Sequence, residues 1–296
     1  MIPLISVILP TYNGSKYISR AIESIISQTE KNWELIIVND CSTDDTLNIV
    51  NNYVNKDSRI RVINNKVNKK LPAALNIGFK EAQGKYFTWT SDDNLYKENA
   101  FSIMMNFLEK NDNVDFVSCD MDWVYEDLTK YAKHSDFADR TSPITLSYIC
   151  NIGACFMYRK GVYKKIGKYN ENAFCAEDWD YWCRVALNGK IAYIKDNCYT
   201  YVANTNGLSF THRKQADKMG EEVVNKYASR IIDKYSESNF KRICMYGNVI
   251  DKYPNYKISF KIFLFVLILY KFPLFLIKLL PSKKLRCFLR KQCKKA

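Results

Sequence analysis

The chain is 296 residues long, with 47% apolar and 25% charged side chains, 14% aromatics, and only 10 Gly and 7 Pro. That length can bury a real core in one large α/β domain or two smaller ones, and the composition excludes disordered, collagen-like and low-complexity classes. The net charge of +13 is unevenly spread: residues 255–296 hold 11 of the 44 Lys and Arg and no Asp or Glu, leaving 33 basic against 31 acidic residues elsewhere. A nearly neutral globular body is therefore followed by an apolar, basic tail. Ten scattered cysteines form no C-x-x-C pair, and the two histidines, His134 and His212, are too few for a zinc cluster. Free thiols in a reducing cytosol are expected. Met1-Ile2-Pro3-Leu4 lacks a basic n-region and leads straight into a β-branched run, so no signal peptide is expected.

Residues 4–9 are a short apolar run stopped by Pro10, the pattern of a strand buried on both faces of a parallel sheet. A helix is predicted from about Ser15, with Ile18, Ile22, Ile25 and Ile26 on one face. Trp33 to Val38 repeats the buried-strand pattern, and Ser42-Thr43-Asp44-Asp45 supplies capping residues for a helix carrying Leu47, Ile49, Val50 and Val54. Then come a strand at 61–63, a helix at 72–82, a strand at 86–90 ending in Ser91-Asp92-Asp93-Asn94, a helix at 98–110 and a strand at 114–119. Further on, 153–159 reads as a strand, 178–188 as a helix closed by Gly189, and 191–194 as a strand. Strand and helix alternate from the start, which predicts an α/β fold with a doubly wound, Rossmann-like, mostly parallel sheet.

In such sheets ligands sit outside the carboxyl ends of the strands. Three of those ends carry notable groups: Pro10-Thr11-Tyr12-Asn13, Asn39-Asp40 and Asp92-Asp93. Neither the dinucleotide nor the P-loop glycine spacing is present around Gly14. A bound diphosphate then needs another counter-charge, and a divalent cation on carboxylate oxygens, Mg²⁺ or Mn²⁺, is the expected supplier.

Four runs occur in order: Ile5-Ser6-Val7-Ile8-Leu9-Pro10-Thr11-Tyr12-Asn13, Ile36-Ile37-Val38-Asn39-Asp40-Cys41-Ser42-Thr43-Asp44, Ser91-Asp92-Asp93-Asn94 and Ala176-Glu177-Asp178-Trp179-Asp180-Tyr181-Trp182-Cys183-Arg184. Together they resemble the inverting glycosyltransferases of family 2, which have the GT-A fold. The resemblance covers about the first 210 residues. It implies that Pro10, Thr11 and Tyr12 line the nucleoside pocket, with Tyr12 against a uracil ring and Asp40 accepting from the base N3–H. It further implies that Asp93, with Asp92 beside it, holds the metal at the diphosphate, and that Asp178 is the general base on the acceptor hydroxyl. Three departures accompany it. Thr90 stands where the family often has the first acid of D-x-D, Leu75 replaces the arginine of A-R-N, and Tyr201-Val202-Ala203-Asn204 lacks the late histidine, which moves that expectation to His212.

Alternative readings stand beside several of these. Asp40 at a strand end could cap the following helix, as Asp44 and Asp45 are expected to. Glu177, Asp178 and Asp180 could be first-turn acids favoured by the helix dipole. His212 is divided between a metal or diphosphate contact and a plain surface role, while Trp182 is expected in the core.

The segment 258–280 approaches transmembrane length, but Lys271 lies within it and Pro273 follows. A lysine near a bilayer centre costs roughly 2.5–3.5 kcal/mol. On a helical wheel Lys257, Lys261, Lys271 and Lys278 share an arc of about 100°. An in-plane amphipathic helix followed by a polybasic stretch, meeting an anionic membrane surface, fits this pattern; a helical hairpin packed on the domain or on a second subunit is the alternative.

The expected organisation is a GT-A domain at 1–215 (nucleotide half 1–97, acceptor half 98–215), a helical extension at 216–254, and the membrane-associating tail at 255–296. The expected activity is metal-dependent transfer of a hexosyl or N-acetylhexosaminyl group, from a UDP-sugar in the first place, to a lipid-linked or oligosaccharide acceptor in bacterial surface-polysaccharide synthesis. The expected location is the cytoplasmic face of the membrane, with a homodimer as a further expectation and no nucleic-acid partner. The rivals are a non-catalytic nucleotide-sugar-binding protein and a sugar nucleotidyltransferase.

Overall fold

The computed structural model describes residues 3–133 and 142–237, with positions 245, 249 and 252 beyond them. His134, the end of the helical extension apart from those positions, and the whole 255–296 tail lie outside the described residues. Strand β1 (Ile5–Thr11), helix α1 (Ile18–Ile26), β2 (Trp33–Asn39), α2 (Thr46–Val54), β3 (Ile60–Asn64), α3 (Leu71–Glu81) and β4 (Tyr86–Trp89) alternate as predicted. They are followed by β5 (Leu95–Tyr96), α4 (Ala100–Lys110), β6 (Phe116–Val124), β7 (Lys130–Lys133), β8 (Phe156–Arg159), α5 (Lys160–Ile166), α6 (Glu177–Asn188), β9 (Ile191–Val202), α7 (Leu208–Thr211) and α8 (Arg213–Tyr235).

The sheet runs β3-β2-β1-β4-β8-β6-β9-β5, with β7 on β6. The first four strands are parallel, as are β6 and β9, while β8 enters antiparallel between β4 and β6. Pro10 does not stop β1. The last β1–β4 pair is Ile8 with Trp89, and Thr90 N reaches back to Ile8 O. Pro10 falls past that end on the same side of β1, so its missing N–H costs no ladder bond.

The continuous apolar strands feed two cores. Ile5, Val7 and Leu9 join Leu35 and Ile37 under α1 and α4, with Ile18, Ile22, Ile25, Met104 and Leu108. Ile8, Ile36 and Val38 face the other way, toward Leu75 and Phe79 of α3, Trp182 of α6, and Ile231 and Ile232 of α8. Phe116 stacks on Phe156 at 5.6 Å and both meet Trp182, at 4.8 and 4.5 Å, so Trp182 is a core residue as expected. Helix α3 lies so close to β1 that a Cβ on Gly78 would stand 2.4 Å from Ile8 Cγ2. The cysteines among the described residues are free thiols, and no helix among these residues is long and apolar enough to cross a membrane.

Candidate active site

Because β1 is flanked in parallel by β2 and β4, their carboxyl ends meet at one edge of the sheet. The end of β9 reaches the same place: Val202 N donates to Asn94 Oδ1 at 2.8 Å, and the Tyr199 and Thr90 hydroxyls are 2.5 Å apart. Thr90 is thus tied to β9.

In the β1–β4 corner Thr11 Oγ1 donates to Asp92 Oδ2 at 2.5 Å. Gly14 makes room for this contact, since a Cβ there would lie 2.2 Å from Asp92 Oδ2 and 2.6 Å from Thr11 Oγ1. Desolvation in this recess pushes the Asp92 carboxyl up to about 7, against the Thr11 hydrogen bond and with the Asp93 charge adding to the rise. Desolvation raises Asp93 as well, opposed by a hydrogen bond from Asn204 and by the Arg20 charge. Asn204 Nδ2 donates to Asp93 Oδ2 at 3.0 Å, while its Oδ1 accepts from Asn206 N at 2.9 Å. That second bond assigns which end of the amide meets the carboxylate.

Two adjacent recessed carboxylates with raised proton affinity are short of positive charge. A hard divalent cation that keeps several waters and takes one or two carboxylates alongside phosphate oxygens fits this pair. Asp92 and Asp93 are the residues that would hold it. Among the described residues no three His, Cys, Asp or Glu side chains gather as a metal site, so His212 does not join them. It is exposed, with Nδ1 2.9 Å from Thr211 Oγ1 and its ring edge-on to Phe174 at 5.7 Å. At this pair the sequence reading missed Asn204, visible there only as a departure from a family histidine.

The β1 and β2 loops are stitched together. Asn13 N donates to Ser42 Oγ at 2.9 Å, Thr43 N to Asn13 Oδ1 at 2.8 Å, and Ser15 N to Asp44 Oδ2 at 3.1 Å. Asp44 also accepts from Thr46 N at 3.1 Å, a turn bond at the entry to α2, while Asp45 stands at the N-cap without a side-chain cap bond. Burial would raise the Asp44 carboxyl, but the Thr46 and Ser15 donors outweigh that and hold it at about 2. Asp40 is buried and accepts from Asn65 Nδ2 at 2.8 Å, from Lys69 N with both oxygens at 2.9 Å, and from Lys70 N at 2.9 Å. It therefore does not cap α2; it holds the turn that leads into α3. Lys70 takes φ 73° to make the turn. Thr11 is 4% exposed, whereas Tyr12 is 51% exposed, an open aromatic at this edge.

Helix α6 brings three carboxylates. Asp180 is buried and bonded to Arg184 Nε (2.8 Å), Tyr227 OH (2.9 Å) and Lys226 Nζ (3.3 Å), which makes it a tie between α6 and α8. Glu177 is buried and accepts from Cys175 N at 2.8 Å. Asp178 is half-buried; its Oδ1 accepts from Trp179 N at 2.6 Å and its Oδ2 lies 3.8 Å from Cys150 Sγ. Desolvation raises both Glu177 and Asp178, and the Asp178 charge adds to the rise at Glu177. Tyr169 links this helix to the end of β4: its ring stacks on Tyr181 at 4.1 Å and its hydroxyl accepts from Trp89 Nε1 at 3.0 Å.

Residues 6–167, more than half of the chain, match the family model described as glycosyl transferase family 2. The chain belongs to glycosyl transferase family 2. An uncharacterized glycosyltransferase of Rickettsia prowazekii (strain Madrid E) is 34% identical over 187 residues, 61% of this chain and 58% of that protein. TuaG of Bacillus subtilis (strain 168), named for teichuronic acid biosynthesis, is 37% identical over 106 residues, 36% of this chain and 42% of TuaG. Among solved structures, S. aureus TarS 1-349 in complex with UDP-GlcNAc superposes with a TM-score of 0.70 at 21% identity, covering 97% of this chain and 86% of that one. The mannosyltransferase PcManGT from Pyrobaculum calidifontis, in complex with GDP-Man and Mn²⁺, gives 0.64 at 16% identity, covering 100% and 81%. These likenesses establish the GT-A fold for this family 2 chain.

Proposed function

We propose that this family 2 chain is an inverting glycosyltransferase that moves one sugar from a nucleotide sugar, a UDP-sugar in the first place, to an acceptor hydroxyl. The observation that carries this is the division of labour among its carboxylates: a recessed Asp92–Asp93 pair at the end of β4 and a separate Asp178 at the start of α6, whose Oδ2 meets only a thiol among the described residues. One-step inversion needs charge compensation on the leaving-group side and a base on the acceptor side. Pro10, Thr11 and Tyr12 line the nucleoside pocket, with the exposed Tyr12 ring against the base. Asp40 positions the 65–70 loop and offers the base N3–H an oxygen it shares with that loop. Asp93 and Asp92 would hold a divalent cation, which would supply positive charge against the departing diphosphate. Asp178 takes the proton of the acceptor hydroxyl as that oxygen bonds to the anomeric carbon and the carbon–phosphate-oxygen bond breaks. A positioned base contributes on the order of 10²–10⁴-fold.

TuaG and the TarS complex favour a UDP-sugar donor and a surface-polysaccharide acceptor, hexosyl or N-acetylhexosaminyl in type. The PcManGT complex, which holds Mn²⁺, supports a divalent cation here. A ligand that binds only the folded state raises its melting temperature by mass action. UDP and UDP-GlcNAc are expected to raise the Tm more with Mn²⁺ than with EDTA; no shift with any nucleoside diphosphate or nucleotide sugar would remove the donor-site reading.

A further inference from the structure

One short segment holds the first turn of α6. Pro143–Ser147 coils into a single 3-10 turn, and Tyr148 N and Ile149 N both donate to Thr145 O at 3.0 Å. Leu146 O accepts from Trp179 Nε1 at 2.9 Å and from Cys183 Sγ at 3.8 Å, two side chains one helical turn apart. With the segment pinned to α6 in this way, its next residues deliver Cys150 to the carboxylate that begins the helix, Sγ to Asp178 Oδ2 at 3.8 Å. The two Asp178 oxygens are not equivalent. Oδ1 is turned back onto the peptide of Trp179, and Oδ2 is the one that meets the thiol.

We propose that Cys150 is a positioning residue for Asp178, its thiol holding Oδ2 in the orientation that receives the acceptor proton. The inference rests on the assignment of Asp178 as the base. A thiol suits the task because it is a weak donor: it biases the rotamer of the carboxylate while taking little from its basicity. A hydroxyl at the same place would favour the charged carboxylate more strongly. Burial and the neighbouring Asp178 charge push the Cys150 thiol well above its ordinary range, so it stays an S–H donor wherever the enzyme works. The other titratable groups around Asp178 are Glu177 and Cys183 on α6, Cys175 just ahead of the helix, and Tyr169 from the loop that packs on it, while Lys252 faces the Cys150 thiol. Glu177 and Asp178 titrate as a pair, so an acidic limb of the rate profile belongs to both.

The full chain and its Cys150→Ala, Cys150→Ser and Asp178→Asn variants are compared by UDP release from UDP-GlcNAc against pH, with the donor KM and Tm of each. Removing the donor disfavours the carboxylate, so Cys150→Ala should move the acidic limb of kcat/KM to higher pH. A stronger donor does the reverse, and Cys150→Ser should move the limb to lower pH while recovering part of kcat. The loss of kcat in Cys150→Ala is about fivefold, the worth of one weak hydrogen bond, with the donor KM unchanged. If both variants lose activity only in step with Tm and the limb stays at the parental pH, the thiol is packing and the proposal is overturned. Loss of activity in Asp178→Asn alongside unmoved limbs overturns the Cys150 role alone; full activity in Asp178→Asn overturns the base assignment and the Cys150 role with it.

Discussion

At the scale of single residues, the β1–β4 corner proposed for the donor depends on an absent side chain. Gly14 sits where a Cβ would lie 2.2 Å from Asp92 Oδ2, and Asp92 is itself held by Thr11. Gly14→Ala must displace that carboxylate, and overpacking of this kind costs about 1–3 kcal/mol. Calorimetric titration with UDP and Mn²⁺ should give an affinity weakened at least tenfold; parental affinity would mean that Asp92 is not where the donor binds. The Glu177–Asp178 pair makes the opposite kind of statement. Its carboxyls are raised in the folded state, so protons are bound there that the unfolded chain has released, and stability falls as pH rises out of the ordinary carboxylate range. Asp178→Asn removes one of the two charges and should melt no lower than the parent at pH 8. A lower Tm in scanning calorimetry at that pH would contradict the burden assigned to the pair.

At the scale of elements, α6 and α8 are joined through Asp180, which is 1% exposed and bonded to Arg184, Lys226 and Tyr227. Asp180→Ala strands those partners. Breaking a buried pair costs about 3–5 kcal/mol, and the exposure of Lys226 lowers that here to roughly 2–3 kcal/mol. Urea unfolding should read that loss; a change under about 0.5 kcal/mol would mean that packing alone fixes α8.

The elements also mark how far the sequence could be read. The βα alternation up to α4 was legible because its strands are buried on both faces and its helices carry one apolar stripe. The later half was harder. β6 and β9 run well past the apolar stretches at 114–119 and 191–194, because their second halves, which mix polar and apolar residues, pair with each other through two register shifts. β5, only two residues long, and the Lys-rich α5 carry too little period to be seen. The carboxylates were legible for a related reason, since they end strands or start a helix. The Asn204–Asp93 contact and the approach of Cys150 to Asp178 were not, because they join residues 111 and 28 positions apart through tertiary packing.

At the scale of the whole molecule, the division of charge separates chemistry from location. The body to residue 254 is close to neutral, with 33 basic against 31 acidic residues. The tail of 255–296 carries 11 basic residues and no acidic ones. Each basic residue near an anionic surface is worth about 1 kcal/mol, attenuated by salt. The full chain should therefore sediment with phosphatidylserine-containing vesicles at low salt, and a chain lacking 255–296 should remain in the supernatant. Equal retention of the two would leave the tail without that role.

The central claim is that a UDP-sugar is cleaved with inversion by a base at Asp178. Time-resolved proton NMR of UDP-GlcNAc, whose sugar is α-linked, incubated with the full chain and Mn²⁺ tests it most directly. The account predicts UDP release with the β-anomer formed first when water or an added hydroxyl is the acceptor, and a rate lowered by about 10²–10⁴-fold in Asp178→Asn. An α-anomer formed first, or a parental rate in Asp178→Asn, would contradict it.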